Sequence, residues 1–217
     1  PQTRDRKGLI WGRVEYYDMI TIVDYGMGNL RSVQKAFERL DIPARISTSA
    51  AEIGNADKLV LPGVGAFRDA IGELRRQGLD EPIKAHIAAD KPFLGICLGL
   101  QLLMDVSYED GEWEGLGVLP GAVVRFDDQP GLKIPHMGWN QLDRVRESKV
   151  LHDIGDKPYV YFAHSYYAPV IPATAATCEY SLPYTAVLEQ DNICGVQFHP
   201  EKSGDLGLKI VRNFVES

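Results

Sequence analysis

The first half of the chain repeats a pattern in which a short apolar run leads into a turn and then into a segment with helical spacing. The apolar runs are ITIVDYG (20–26), KLVLPGVGAF (58–67) and KPFLGIC (91–97). A helical segment, NLRSVQKAFERL (29–40), follows the first of them. Near-continuous apolar strands joined by helices are typical of a parallel sheet that is covered on both faces. The pattern therefore predicts an open, mostly parallel, doubly wound α/β sheet, with KPFLGIC as its third buried strand.

The second half of the chain has a different sequence pattern. After residue 111, short β-rich runs are separated by proline, glycine or aspartate, and the final segment DLGLKIVRNFV (205–215) has helical spacing. No linker-like composition divides the chain, so we expect one domain over residues 19–217. In it, the second half extends the sheet and adds an antiparallel elaboration. Residues 1–18 precede the first predicted strand, and we interpret them as an N-terminal extension or a vector remnant.

Composition excludes several classes of function. The chain has 217 residues, 45% of them hydrophobic, and a formal net charge of −7. This charge gives no reason to expect a nucleic acid or an anionic membrane as partner, and no apolar run approaches the ~18 residues of a membrane-spanning helix. Three widely spaced cysteines argue against a disulfide framework and favour a cytoplasmic protein. No H-x-x-x-H or C-x-x-C spacing occurs, so we expect neither a metal nor a cofactor.

Cys97 stands in the sequence Gly95-Ile96-Cys97-Leu98-Gly99, at the end of a predicted strand. This is the thiol counterpart of the Gly-x-Ser-x-Gly elbow, in which glycines on both sides relieve crowding at a sharp strand-to-helix turn. Such a turn lifts the sulfur out of the sheet, and the following helix N-terminus favours the thiolate. The alternative is a small apolar cysteine that ends a buried strand. The spacing of the glycines favours a nucleophile.

A thiol nucleophile needs a base and a group that orients the base. The sequence GVQFHPEKS (195–203) offers His199 after an apolar strand and Glu201 two residues later, across a rigid proline. A carboxylate so placed is suited to hold one ring nitrogen and to set the tautomer. His136 and His164 are rivals because both lie in apolar, aromatic runs. Neither has an acid close by in the sequence, so His199 is the predicted base.

The turn after the second apolar run has the sequence Pro62-Gly63-Val64-Gly65. Two glycines around one residue leave the Val64 backbone amide free to point at a developing oxyanion. Together with the amide of Leu98 at the elbow, this amide completes the donor pair that acyl transfer needs. A plain strand-to-helix turn is the alternative. A phosphate loop is less favoured, since the sequence matches neither the Walker A pattern nor Gly-x-Gly-x-x-Gly.

These motifs together resemble the class I, or triad, glutamine amidotransferases. Within that class, three further runs are similar to the glutaminase subunits of imidazole glycerol phosphate synthase. They are DYGMGNLRSV (24–33), PHMGWN (135–140) and HSYY (164–167). The resemblance extends from Met19 to the C-terminus and implies the fold of that class for the whole segment.

The resemblance also implies a reaction and a division of labour. Cys97 attacks the side-chain amide of glutamine, His199 moves the protons and Glu201 orients His199. Ammonia then passes to a cyclase partner with a (β/α)8-barrel fold, in a heterodimer that makes imidazole glycerol phosphate and aminoimidazole carboxamide ribotide for histidine biosynthesis. The family pattern further assigns the oxyanion residues Gly63, Val64 and Leu98, the substrate-binding residues Gln101, Glu109, Ser165 and Tyr166, and the partner-facing residues Trp139, Asn140, Tyr161 and Lys202.

Control of the reaction follows from the same resemblance. Hydrolysis without a waiting acceptor wastes glutamine, so we expect the Val64 amide to be out of position until the partner binds. Two other functions stay open on the sequence. One is a glutaminase subunit of anthranilate or pyridoxal phosphate synthase, and the other is a stand-alone cysteine hydrolase.

Overall fold

The structure is a computed structural model, and it describes residues 18–217. Its strands are β1 (Ile20–Val23), β2 (Ala44–Ser47), β3 (Lys58–Gly63), β4 (Phe93–Cys97), β5 (Met104–Ser107), β6 (Trp113–Glu114), β7 (Leu119–Arg125), β8 (His136–Gln141), β9 (Asp143–Arg144), β10 (Tyr159–His164), β11 (Tyr166–Tyr167), β12 (Thr174–Glu179), β13 (Pro183–Gln190) and β14 (Ile193–Val196). Its helices are α1 (Leu30–Glu38), α2 (Ala50–Gly54), α3 (Phe67–Arg76), α4 (Asp80–Ala88), α5 (Leu98–Gln101), the 3-10 helix Pro200–Lys202 and α6 (Gly204–Glu216). None of these described helices has the length and apolarity that crossing a bilayer requires. The predicted extension, residues 1–18, lies outside the described residues except for its last residue.

An eight-stranded sheet in the order β2-β1-β3-β4-β14-β13-β12-β9 forms the centre of the fold. Strands β2, β1, β3, β4 and β14 run parallel to one another, and β13, β12 and β9 continue the sheet in antiparallel fashion. The predicted open, mostly parallel sheet with an antiparallel elaboration is therefore confirmed. The carboxyl ends of β3, β4 and β14 meet at one end of this sheet, which is where ligand sites of such folds lie.

Side chains alternate between the two faces of the main sheet, and helices bury both faces. In β3, Val60 packs in one core with apolar residues of α1 and α6. Leu59 and Leu61 point the other way, into a second core with residues of α2, α3 and α4. Strands that are dry on both faces need apolar residues at every position. This burial explains why the central strands read as continuous apolar runs in the sequence.

The first half of the chain holds one strand more than predicted. β2 pairs with β1 at the edge of the main sheet, so KPFLGIC supplies the fourth strand of that half, although it is the third fully buried one, as predicted. The sequence of β2 is ARIS, and most of its residues are half-buried. An edge strand tolerates arginine and serine because part of it faces solvent. It therefore lacks the apolar continuity that identified the central strands.

Two smaller sheets stand beside the main one. β10 and β8 form an antiparallel ribbon, and β11, β7, β5 and β6 form a four-stranded sheet. The connection between β10 and β11 consists of Ser165, which lines the same cavity as Cys97 at the end of β4. The small sheets therefore close one side of the space beyond the parallel strands.

Candidate active site

Cys97 lies at a sharp turn between β4 and α5, with φ 55° and ψ −109°. This conformation is rare for a residue with a side chain and is typical of a nucleophile held at a strand-to-helix elbow. A Cβ on Gly95 would lie 2.6 Å from the Gly99 carbonyl oxygen, and a Cβ on Gly99 would lie 1.8 Å from the Leu61 carbonyl oxygen. Close approach of backbone to backbone therefore requires both flanking glycines.

We expect Gly99→Ala to destabilise the protein. Its methyl group would overlap the backbone of β3, a central strand with no room to withdraw, so the free energy of unfolding should fall by about 3 kcal/mol or more. Gly72→Ala is the matched control, because a Cβ on Gly72 in α3 meets nothing within 4 Å. Alanine there should stabilise the helix by about 0.5–1 kcal/mol. Urea unfolding curves measure both changes, and a parent-like curve for Gly99→Ala would contradict the contact.

Two segments that are distant in sequence reach the elbow through strand pairing. Gly63 is paired with Cys97 in the β3–β4 register, and Val196 is paired with Ile96 in the β14–β4 register. The residues that follow β14 therefore pass beside the thiol, and His199 is among them.

His199 and Glu201 form a buried pair next to the thiol. The ring Nδ1 donates to Glu201 Oε1 over 2.9 Å, and the ring also shares a hydrogen bond with Cys97. Burial lowers the pKa of His199, but the hydrogen bonds with Cys97 and Glu201 outweigh burial and raise that pKa to about 10. The site therefore stabilises the imidazolium that forms when His199 takes the thiol proton.

Gln197 is a site residue that the sequence analysis missed. Its Nε2 lies 3.6 Å from Cys97 Sγ, and its Oε1 accepts a hydrogen bond from Gln101 Nε2 over 3.0 Å. The signal was present in the spacing, because residues two apart in an extended segment share a face. Because His199 reaches the elbow, the side chain of Gln197, two residues earlier, must also point towards Cys97.

A cavity of about 230 Å³ opens beside Cys97. Its lining includes the predicted residues Val64, Leu98, Gln101, Glu109, Ser165 and Tyr166. Glu109 Oε2 accepts the Phe67 backbone N–H over 2.7 Å. Burial raises the pKa of the Glu109 carboxyl, and the hydrogen bond from Phe67 opposes that rise. The fold thus brings the thiol, a carboxyl group and several backbone amides to one cavity.

The turn after β3 forms part of the same lining. Tyr25 Oη donates to the Pro62 carbonyl oxygen over 3.1 Å and so holds the start of the turn. A Cβ on Gly63 would lie 2.5 Å from that hydroxyl oxygen, which leaves no room for a side chain. Val64 follows and is 39% exposed. Leu98 is the first residue of α5, so its N–H needs no intrahelical acceptor and is available to a ligand.

The rival histidines have other partners. The ring nitrogens of His164 bond the Tyr166 carbonyl and the Tyr184 hydroxyl, and His136 bonds the same hydroxyl. Of the three histidines, His199 is the one whose recorded contacts among the described residues include both the thiol and a carboxylate. The geometry therefore favours His199 as the base.

The outer face of the β8–β10 ribbon carries exposed apolar and aromatic side chains. Met137 is 65% exposed, and Trp139 and Tyr159 are each 55% exposed. The Tyr161 ring lies 6.1 Å from the Trp139 ring, and Lys202 Nζ lies 5.9 Å from the Tyr161 ring centroid. We call these five residues the aromatic face. Because Met137 also lines the cavity, the aromatic face adjoins the mouth of the site.

Asn140 lies on the opposite side of β8 from Trp139, since successive strand residues point to opposite faces. Its Nδ2 donates to the Glu179 carbonyl oxygen over 3.0 Å, and its Oδ1 accepts the Gln141 backbone N–H over 2.8 Å. Asn140 therefore anchors the ribbon to the end of β12, beneath the aromatic face rather than on it.

Comparison with known proteins adds independent findings. Residues 21–217 match the family model described as glutamine amidotransferase class-I. The chain is 50% identical over 208 residues to the imidazole glycerol phosphate synthase subunit HisH of Syntrophotalea carbinolica, and the match covers 90% of this chain and 98% of the relative. The subunit HisH of Rhodopirellula baltica is 52% identical over 198 residues, covering 90% of this chain and 96% of the relative. The chloroplastic synthase hisHF of Arabidopsis thaliana is 45% identical over 203 residues, covering 91% of this chain and 34% of that protein.

Solved structures share the fold at lower sequence identity. The structure of PurLQS from Thermotoga maritima superposes with a TM-score of 0.72 at 19% identity, covering 93% of this chain and 99% of that chain. A crystal structure of a glutamine amidotransferase gives a TM-score of 0.70 at 20% identity, covering 90% of this chain and 97% of that chain. These likenesses establish the architecture.

Proposed function

Since the chain belongs to the class I glutamine amidotransferase family, we propose that Cys97, His199 and Glu201 hydrolyse the side-chain amide of glutamine. The protein is the glutaminase subunit of imidazole glycerol phosphate synthase, an enzyme of histidine biosynthesis. One observation carries the catalytic assignment: His199 contacts both the Cys97 thiol and the Glu201 carboxylate at the elbow.

In the proposed reaction, the His199 ring takes the thiol proton and the Cys97 sulfur attacks the amide carbon of glutamine. The backbone amides of Val64 and Leu98 stabilise the oxyanion of the tetrahedral intermediate. The imidazolium returns the proton to the leaving nitrogen, the C–N bond breaks and ammonia departs. A water molecule that His199 deprotonates then hydrolyses the γ-glutamyl thioester to glutamate and restores the thiol.

Gln101 and Glu109 support binding of the amino-acid end of glutamine. Both hydrogens of the Gln101 amide nitrogen are committed, one to the Tyr166 carbonyl over 2.8 Å and one to Gln197 Oε1 over 3.0 Å. The Gln101 oxygen is therefore the group that can accept from the substrate ammonium. The Glu109 carboxylate strengthens that recognition through its charge. The Ser165 and Tyr166 backbone lines the same cavity and supplies further partners.

We place the cyclase partner, a (β/α)8 barrel, on the aromatic face in a heterodimer. Aromatic residues are enriched in interface cores, and a lysine at the rim suits a charge pair. The cavity opens beside Met137, so ammonia released at Cys97 leaves towards this face. The aromatic face is also connected to the catalytic base, because the backbone N–H of His199 donates to the backbone carbonyl oxygen of Tyr161 over 2.9 Å.

Three free cysteines suit the reducing cytoplasm, where we place the reaction. The alternative functions have less support. Relatives at 50% and 52% identity carry the name of imidazole glycerol phosphate synthase and not that of an anthranilate or pyridoxal phosphate synthase. A stand-alone hydrolase needs no docking surface for a partner, whereas an exposed aromatic surface beside the active site is of the kind that marks one.

Reconstitution with the cyclase tests this function. We expect the two subunits, supplied with glutamine and the phosphoribulosyl-formimino carboxamide nucleotide, to form glutamate and imidazole glycerol phosphate in equal amounts. Trp139→Ala should weaken association by about 30-fold or more, because a central interface aromatic is typically worth at least 2 kcal/mol.

Val145→Ala is the matched control for Trp139→Ala. Val145 is 57% exposed, against 55% for Trp139, but it follows β9 at the far edge of the main sheet. Its replacement should leave the affinity for the cyclase unchanged. Titration calorimetry measures the affinity of both variants for the cyclase. An unchanged affinity of Trp139→Ala would contradict the placement of the cyclase on the aromatic face.

A further inference from the structure

His164 makes a hydrogen bond whose direction is set by its partner. Its Nδ1 lies 2.9 Å from the Tyr166 carbonyl oxygen, and a carbonyl oxygen can only accept, so Nδ1 carries a hydrogen. Burial lowers the pKa of His164 to about 3, and the bond to Tyr166 opposes that shift only in part. The ring is therefore neutral at the pH of catalysis, and its Nε2 is a bare acceptor.

The next bonds are fixed in turn. His164 Nε2 lies 3.2 Å from the Tyr184 hydroxyl, which must donate to it. The Tyr184 oxygen is then left to accept from His136 Nδ1, also 3.2 Å away. Burial lowers the pKa of His136 to about 4, so this ring is neutral too. Its Nε2 accepts from Asn140 Nδ2 over 3.4 Å.

The rings in this chain of bonds have no freedom to turn. His136 stacks between Tyr180 and Phe162, with ring centroids 3.9 Å and 4.8 Å away. His136 and His164 face each other as a cross-strand pair of the β8–β10 ribbon. We call Asn140, His136, Tyr184 and His164 the buried chain. The three hydrogen bonds that join these side chains all run towards Tyr166, whereas the other hydrogen of Asn140 Nδ2 goes to the Glu179 carbonyl oxygen.

The buried chain reaches the substrate cavity at His164, which is part of the lining, and its last hydrogen bond goes to the Tyr166 carbonyl oxygen. That oxygen accepts from His164 on one side and from Gln101 Nε2, over 2.8 Å, on the other. The second hydrogen of Gln101 Nε2 goes to Gln197, whose amide lies 3.6 Å from Cys97 Sγ. The orientation of Gln101, and hence of the oxygen it presents to the substrate, depends on where this carbonyl points.

A packing role alone does not explain the buried chain. Buried polar groups cost free energy unless each one is paired, and apolar rings would fill the same volume without that cost. Here three buried side chains, those of His136, Tyr184 and His164, are paired together with the half-buried Asn140 in a single consistent direction that ends at the cavity. Such networks rigidify the groups they contact.

We propose that His164 and Tyr184 are positioning residues for glutamine, which hold the Tyr166 carbonyl and, through it, the Gln101 side chain. The inference rests on the proposed function. Loss of the hydrogen bond to the Tyr166 carbonyl should raise KM for glutamine. The kcat should stay within about threefold of the parent value, because the thiol, the base and the oxyanion donors are unchanged. One lost hydrogen bond of up to about 1.4 kcal/mol corresponds to a rise in KM of up to about tenfold.

Two substitutions of His164 separate positioning from packing. In His164→Asn, the amide nitrogen takes the place of Nδ1 and still donates to the Tyr166 carbonyl. In His164→Gln, the longer amide reaches the place of Nε2 and leaves that carbonyl without its donor. With the complete synthase, we expect His164→Gln to raise KM for glutamine about tenfold and His164→Asn to stay within about threefold of the parent.

Tyr184→Phe removes only the hydroxyl that fixes the His164 tautomer, and it should raise KM about threefold to tenfold. Tyr167→Phe is its matched control, because Tyr167 is a buried ring stacked on Phe126 at 4.5 Å between centroids and lies outside the buried chain. Its KM should not change. Alkylation of Cys97 by iodoacetamide and synthesis from free ammonia should be parent-like in every variant that folds.

Equal KM values for His164→Asn and His164→Gln, or a parent-like KM for Tyr184→Phe, would overturn the proposal. Where His164→Gln fails to fold, Tyr184→Phe against Tyr167→Phe decides the question. Failure of the proposed function is distinguishable, since the parent complex itself would then form no glutamate, and the positioning role would fall with it.

Discussion

Cys97→Ser is expected to lower the rate of glutamine hydrolysis by about a thousandfold or more, because a serine hydroxyl lacks the acidity of the thiol and triad members act as a unit. The change is nearly isosteric, so the elbow, with its φ of 55°, should keep its shape. If the cyclase chemistry lies in the partner subunit, as proposed, the complex should still make imidazole glycerol phosphate from free ammonia. Steady-state assays with glutamine and with ammonium salts measure the two activities.

Cys194→Ser is the matched control for Cys97→Ser. Cys194 lies in β14, and burial raises the pKa of its thiol to about 12, so it stays protonated and unreactive. Its replacement should leave glutamine hydrolysis close to the parent rate. Near-parental hydrolysis in Cys97→Ser would overturn the assignment of Cys97 as the nucleophile.

The second large effect concerns control by the partner. We expect the isolated chain to hydrolyse glutamine slowly, and the cyclase together with its nucleotide to raise that rate by about a hundredfold or more, because a single oxyanion donor is worth about that factor. Tyr25 holds the Pro62 carbonyl, whereas Val64 is 39% exposed and lies between two glycines. The Val64 peptide is therefore the part of the turn that a docked partner can reorient.

Steady-state glutaminase rates of the subunit alone, with the cyclase, and with the cyclase and nucleotide measure this control. Gly65→Ala sharpens the comparison, because Gly65 has φ +93° and a Cβ there would lie 2.9 Å from Met27 Cε. We expect this variant to bind the cyclase normally but to show a changed ratio of complex rate to lone-subunit rate, since alanine resists the positive φ that Gly65 has in the chain without its partner. A lone subunit as fast as the full complex would show that the Val64 amide is already in place.

The local parts of the site could be predicted from sequence because local geometry determines them. The glycines around Cys97 predict the elbow, since a Cβ on Gly99 would lie only 1.8 Å from the Leu61 carbonyl oxygen. The His-Pro-Glu run predicts the pair of His199 and Glu201, which are two residues apart and bonded over 2.9 Å. The apolar runs predict parallel strands because both sheet faces are buried.

The non-local parts could not be predicted, because they depend on which strands become neighbours. The edge strand β2 has too little apolar sequence to identify it. The family pattern places Asn140 on the partner surface, but strand alternation turns its side chain towards Glu179. The roles of His136 and His164 stayed open on the sequence, since Tyr184, the hydroxyl that joins them, comes from β13.

Sequence alone therefore determined the sharp turn at Cys97, the adjacent pair of His199 and Glu201 and the doubly wound class of fold, each through backbone conformation or burial that neighbouring residues specify. Tertiary structure decided that β14 lies beside β4, which brings Gln197 and His199 to Cys97 across about a hundred residues of chain. It also decided that the β8–β10 ribbon adjoins the cavity. The physical reason is that strand order is chosen by packing of the whole sheet, and no local run of residues encodes its distant neighbour.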